Sequence, residues 1–181
     1  KLVCDRLDVP HSTLDFTDVF QKSVVDNFAD EYLAGRTPNP CVRCNSLVKW
    51  DAFVQQADKL GAAYIATGHY AKVQHLKGSS VLKKGKDSLK DQAYVLWGIP
   101  AHTLSRTLFP LGDFTKEEVR NIARKNKFET AEIPESMEIC FVADNNYKRF
   151  LKDYSPEKMA KIGVGDILDE EGKDLLFYIK K

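Results

Sequence analysis

The sequence predicts an α/β domain built on part of a doubly wound parallel sheet. Three observations lead there. Stretches with helical and strand periodicity alternate in the order helix, strand, helix, loop, helix, strand. Ala62 to Thr67 is a short apolar run of the kind that parallel sheets bury. Gly68 and His69 follow it directly, at the carboxyl edge where open parallel sheets bind ligands, and a glycine there lets backbone approach a ligand closely.

Taken in order, Lys1 to Leu7 reads as the tail of a helix with Val3 and Leu7 on one face, and Cys4 as a packing thiol. Val9-Pro10-His11 leads into a short strand, Ser12 to Phe16. Asp15 or Thr17 caps a helix running to about Leu33, with Val19, Phe20, Val24, Val25, Phe28 and Tyr32 as its apolar stripe and Gly35 closing it. Pro38 and Pro40 turn the preceding residues away from helix, so Gly35 to Cys41 is expected as an extended loop. Asn45 then serves as N-cap of a helix carrying Leu47, Trp50, Phe53, Val54, Ala57 and Leu60, ended by Gly61.

On this reading Cys41 and Cys44 sit just before a helix N-terminus, with Arg36, Arg43 and Lys49 close in sequence. A free thiol has a pKa near ~8.5, and such surroundings lower it by one to several units, roughly. That is how a cysteine is prepared to attack a substrate or to hold a metal.

Further along, Tyr70 to Gln74 and Val81 to Lys84 flank a hairpin loop, Lys77 to Ser80. Lys83, Lys84, Lys86 and Lys90 form a basic run that an RNA phosphate could use. Gln92 to Gly98 is expected as a helix that turns Tyr94, Val95 and Trp97 to the core, and Pro100 to Pro110 as irregular. Thr115 and Glu118 make a capping box for a helix to about Asn126, with Val119, Ile122 and Ala123 inward. Asn145 or Asn146 caps a short helix, Tyr147 to Tyr154, and Gly163 to Gly172 reads as the opening of a small β domain. The expected division is a catalytic domain over 1–145 and a linker with the start of a β domain over 146–181.

Composition narrows the class. A net charge of +1 gives no bulk argument for or against RNA, so a nucleic-acid surface would come from local clustering. No apolar run is long enough to span a membrane and no signal-peptide pattern occurs. Four cysteines, two of them in Cys-x-x-Cys, fit a cytosolic, reducing compartment with metal or catalytic thiols better than a disulfide framework.

Gly35-Arg36-Thr37-Pro38-Asn39-Pro40-Cys41-x-x-Cys44-Asn45 resembles the signature of the tRNA-specific 2-thiouridylases. Ala66-Thr67-Gly68-His69-Tyr70, Lys90-Asp91-Gln92 and Glu135-Ser136-Met137-Glu138-Ile139-Cys140-Phe141 agree with the same family in the same order. The resemblance implies a nucleotide-binding fold of the PP-loop ATPase kind (adenine nucleotide α-hydrolase-like). It also implies ATP with Mg²⁺ as cofactor, tRNA as substrate and sulfur transfer to C2 of the wobble uridine. By this likeness Cys140 carries a persulfide and Cys44 is the partner nucleophile. Gly68 lines the ATP site, and Asn39, Pro40 and Cys41 hold the target base. His69, Lys90, Asp91 and Gln92 contact tRNA. A persulfide-donor protein is the implied partner, with no membrane, a cytoplasmic location and a monomeric state.

Two departures from the family pattern matter. Many members carry an aspartate, read as a possible base, where this chain has Cys41. That opens a second description, in which Cys41, Cys44 and Cys140 hold a [4Fe-4S] cluster with one iron left open for sulfur. A structural zinc fits less well because zinc takes four protein ligands. The family's Ser-Gly-Gly-x-Asp-Ser phosphate loop does not occur, so the sequence reads as part of a longer enzyme that binds ATP weakly as it stands. A non-catalytic Cys-x-x-Cys module binding metal or RNA is the alternative. A thiol–disulfide oxidoreductase is disfavoured by the prolines ahead of the pair.

Overall fold

The structure is a computed structural model that describes residues 1–134, 138–162, 165–166 and 168–173. Two long helices and a four-strand scaffold position the site. The first long helix covers 17–33 as three abutting segments, Thr17–Phe20, Gln21–Val25 and Asp26–Leu33, the middle one π-helical. Asp15 starts it, its carboxylate accepting from the Thr17 amide at 2.9 Å. Val24 and Phe28 lie fully buried along its inner face, and Gly35 at φ 76° ends it.

The second, here the cysteine helix, covers 40–59 as Pro40–Arg43, Cys44–Ala52 and Phe53–Lys59, again π-helical in the middle. Its start corrects the sequence reading. Asn39, not Asn45, is the N-cap, its side chain accepting from the Val42 amide at 3.3 Å. Pro40 fits the first helical position because its missing N–H would have no intrahelical partner there. Cys41 and Cys44 therefore lie inside the first turns of the helix, and Asn45 is buried within it at 3% exposure. Gly61 at φ 67° closes the helix as expected, with the Ala62 amide returning to the Ala57 carbonyl.

Strand β1 (Ile65–Ala66) pairs in parallel with β4 (Thr107–Leu108). Strands β2 (Ala71–Leu76) and β3 (Ser79–Lys84) form the expected antiparallel hairpin. Among the described residues the parallel sheet is this one pair, so the α/β class holds in reduced form. Trp50 locks the cysteine helix onto it. Its indole N–H donates to Thr107 Oγ1 at 2.9 Å, and that hydroxyl donates on to the Thr103 carbonyl at 2.9 Å. Trp50, Ile65, Ala71, Val95 and Leu96 make up much of the core between helix and strands.

A second apolar centre holds the segment around residue 140. Phe28 packs edge-to-face on Phe141 with ring centroids 5.1 Å apart, and Phe20, Tyr32, Tyr147 and Phe150 surround the pair. Such pairs add about 0.5–1.5 kcal/mol beyond the area they bury. The helix Tyr147–Tyr154 that supplies Tyr147 and Phe150 is capped by Asn146, which accepts from the Arg149 amide.

Other expectations fare unevenly. The Thr115–Glu118 capping box is present at both of its hydrogen bonds, but Ile122 of that helix is exposed and none of the helix is fully buried. Residues 12–16 form no strand. Gln92 to Gly98 holds only a 3₁₀ turn, Ala93–Val95, and the stretch after it contains a short helix, Ala101–Leu104, before β4. Val95 is buried as expected, but Tyr94 and Trp97 point outward at 66% and 74% exposure. Residues three apart fall on one side of a 3₁₀ turn, so Tyr94 and Trp97 face outward together while Val95 and Leu96 turn inward. Val3 and Leu7 are exposed. Glu135 to Met137 and much of the proposed β opening after Gly163 lie outside the described residues.

Candidate active site

The first turns of the cysteine helix and the segment 138–141 face each other across a cavity of about 250 Å³. Cys41 and Cys44 line it from the helix and Cys140 from the opposite segment. Asn45, Lys49, His69, Gln92 and the carboxylate Glu138 are among its polar lining, and Phe20, Val24 and Phe141 among its apolar lining. Cys41 and Cys140 are exposed and Cys44 is half-buried, all three as free thiols. The structure thus brings together three cysteines that the sequence separates widely.

Their electrostatics run against the sequence reading. Burial pushes the Cys41 thiol above its ordinary value, nearby Cys140 adds to this, and Lys49 opposes it. Cys44 is also raised, by burial first, with Lys49 lowering it and Cys140 and Cys41 raising it. Burial outweighs the position in the first turns of the helix, and two of the three expected cations are engaged elsewhere. Arg36 pairs with Glu31 at 2.5 Å, and Arg43 donates to the Ser23 carbonyl at 2.7 Å. Lys49 is the cation whose charge reaches both thiols.

Gly68 lies exposed just past β1 and lines a neighbouring groove of about 370 Å³ with Phe53, Ala66 and Thr67. This groove shares Lys49, His69 and Gln92 with the thiol cavity. A side chain at Gly68 would meet only Leu111 Cδ1, at 3.7 Å, so the backbone faces open space that a nucleotide can approach. This edge is open to a nucleotide, while among the described residues no carboxylate lines the groove to hold Mg²⁺. The cluster fits less well. Among the described residues no three His, Cys, Asp or Glu side chains converge as metal ligands. Cys41, Cys44 and Cys140 share a cavity without meeting at one point.

His69 is buried at 8% exposure, stacked near Trp50, with Nδ1 2.8 Å from Thr67 Oγ1. Burial, then Lys49, lowers its pKa to about 4, so it is a neutral ring at neutral pH and meets RNA, if at all, without charge. Asn39 caps the helix and Pro40 is buried beneath it. Asp91 and Gln92 serve the fold first. Asp91 accepts from the Gly85 amide at 2.8 Å, and Gln92 Oε1 accepts from the Tyr70 amide at 3.0 Å. Lys90 is half-buried beside them, with its amide bonded to Asp87.

Sequence reasoning passed over Asn45 as a cap and treated Lys49 as one cation of three. The signal was present: once the helix begins at Pro40, residues 41, 44, 45 and 48 share a face. The exposed Tyr94 beside the cavity had no such signal, because an aromatic in an apolar run reads as core.

Comparison with known proteins gives consistent relatives. A family model described as tRNA methyl transferase HUP domain matches residues 1–144. A tRNA-specific 2-thiouridylase MnmA of Natranaerobius thermophilus is 49% identical over 97% of this chain and 47% of its own length. Those of Amoebophilus asiaticus and Acidithiobacillus ferrooxidans are 50% and 46% identical, over 94% and 96% of this chain and 46% and 49% of their own lengths. The chain therefore spans about half the length of the curated relatives it matches. Among the described residues no helix is long and apolar enough to cross a membrane.

Proposed function

This chain belongs to the tRNA-specific 2-thiouridylase family, through its tRNA methyl transferase HUP domain, and from that premise we propose that it is the thiol-bearing part of an ATP-dependent tRNA-uridine 2-sulfurtransferase. The observation that supports the reading is the meeting of Cys41, Cys44 and Cys140 around one cavity beside the Gly68 groove. Methyl transfer gives no reason for three thiols, whereas sulfur delivery uses at least two.

ATP, when bound, supplies an adenylyl group that turns O2 of the target uridine into a leaving group. Gly68 offers the backbone edge for the nucleotide. Lys49 stands between groove and cavity and stabilises the negative charge that builds on the departing oxygen. Cys140, exposed on its segment, receives a sulfane sulfur from a persulfide-donor protein. The terminal sulfur of the Cys140 persulfide attacks C2 and AMP departs. The Cys44 thiolate then attacks Cys140 Sγ, the S–S bond to the base breaks, and its electron pair leaves with the thiocarbonyl sulfur. A Cys44–Cys140 disulfide remains, which an external thiol reductant must reopen before the next turnover. Cys41 sits one helical turn before Cys44, and with Asn39 and Pro40 borders the place of the base.

An unpaired, splayed base suits a cavity of this size, as at a wobble position. Exposed Tyr94 and Trp97 lie beside Asn39 and Arg43 on an adjoining open groove and offer stacking faces for neighbouring bases. Lys83 and Lys84 of the hairpin add phosphate contacts. The dithiol description is favoured because it needs only Cys44 and Cys140 to meet, whereas a [4Fe-4S] cluster needs three ligands gathered at once, and among the described residues no such group of three forms.

The test is 2-thiouridine formation on tRNA by the full-length protein. Cys44→Ser and Cys140→Ser are each expected to reduce it by about a thousandfold or more, the scale for removing a covalent nucleophile. Full activity in both variants would end the reading.

A further inference from the structure

Asn45 carries an acceptor with nothing to accept. It is buried at 3% exposure, and its Nδ2 donates to the Val95 carbonyl at 3.3 Å. A carbonyl can only accept, so the amide cannot be turned round, and Oδ1 is fixed on the other side. Among the described residues that buried oxygen has no hydrogen-bond partner, although Asn45 lines the thiol cavity. An unmet buried acceptor costs about 1–3 kcal/mol. A ligand that brings an N–H donor into the cavity returns that free energy on binding.

We infer that Asn45 Oδ1 accepts a hydrogen bond from the N3–H of the target uracil and is a specificity-determining residue of the site. The inference rests on the reading of the cavity as the seat of that base. Gln92, which lines the same cavity, supports it. Its Oε1 is held by the Tyr70 amide, which leaves the side-chain NH₂ as a donor. An acceptor at Asn45 and a donor at Gln92 match the N3–H and O4 of uracil when C2 faces the thiols. Cytosine in the same placement sets its N3 lone pair against Oδ1 and its amino group against the Gln92 NH₂. Both contacts are then mismatched.

The experiment measures affinity of the full-length protein for an anticodon stem-loop RNA carrying uridine, 3-methyluridine or cytidine at the target position. Wild type is expected to bind the uridine RNA about tenfold or more tighter than the other two, one lost hydrogen bond with an unmet partner. Asn45→Ala is expected to bring the uridine and 3-methyluridine affinities together and to leave only the Gln92 part of the preference over cytidine, with its melting curve confirming the fold. Asn45→Leu, close to asparagine in shape and without an acceptor, replaces it should alanine unfold the protein. Equal affinities in wild type overturn the inference, and so does full discrimination in a folded Asn45 variant. The readings fail separately. A protein that forms 2-thiouridine yet treats the three RNAs alike loses only the Asn45 assignment, whereas one that forms no 2-thiouridine loses the proposed function itself.

Discussion

Cys44 and Cys140 face one cavity from two different kinds of structure. Cys44 rides on a helix whose next turns are pinned by Trp50 to Thr107, by Asn45 to Val95, and by burial of Val48 and Val54. Cys140 rides on an irregular segment whose hold on the molecule is Phe141 against Phe28 and the fully buried Val142. The helix half-buries its thiol, while the segment leaves its thiol exposed. A sulfur that arrives from another protein needs an exposed recipient, and the thiol that acts second gains from shelter against stray oxidants. The contrast suits the division of labour proposed for the two cysteines.

The comparison can be broken most severely at Phe28, the ring that joins the first helix to the Cys140 segment. Phe28→Ala is expected to cost about 3–5 kcal/mol in urea unfolding, as for other fully buried phenylalanines. Phe141→Ala, at a half-buried ring, is expected to cost less stability but to change the alkylation rate of Cys140 while leaving that of Cys44 as it was. Equal changes at both thiols would show that the two walls are not independent.

Lys49 sharpens the electrostatic side. It is the cation that lowers both helix thiols against burial, so Lys49→Met is expected to raise the pH at which Cys44 alkylates, by up to about one unit. Reactivity at neutral pH then falls about tenfold at most. An unmoved profile would assign the charge no part in activating the thiol.

The effect most confined in pH concerns His69. Its pKa falls from 6.5 to about 4 on folding, so the folded state binds fewer protons than the unfolded chain between these values. Its contribution is fully present above pH 6.5 and is lost as pH falls toward 4. His69→Gln is expected to flatten the decline in melting temperature over that window. A wild-type decline that persists unchanged in the variant would place the acid sensitivity elsewhere.

What was legible in the sequence followed local rules. The capping box at Thr115, the glycine stop at Gly61, the hairpin around Gly78 and the apolar run at Ile65 depend on neighbours in the chain, and each appears where expected. The cysteine pair and its distant third member were legible only through family resemblance, since no periodicity brings residue 140 to residue 44. The misread features depend on what packs from elsewhere. Asn45 looks like a cap until Val95 is seen to take its amide. Trp97 looks like core until the turn at Ala93–Val95 sends it outward. The thiol pKa values needed the burial around Cys41 and Cys44, which sequence neighbours do not reveal.

The wide-turned middle of the cysteine helix, Cys44–Ala52, has a further consequence. It lies between the sulfur-bearing end and the pinned end, and its i→i+5 bonding accommodates residues that an ordinary turn would not. In an ordinary helix each added residue turns everything beyond it by about 100°, whereas a wide-turned span can take up or give back a residue within its own bonding. Length in this span therefore sets how the cysteine-bearing end faces relative to the end pinned by Trp50.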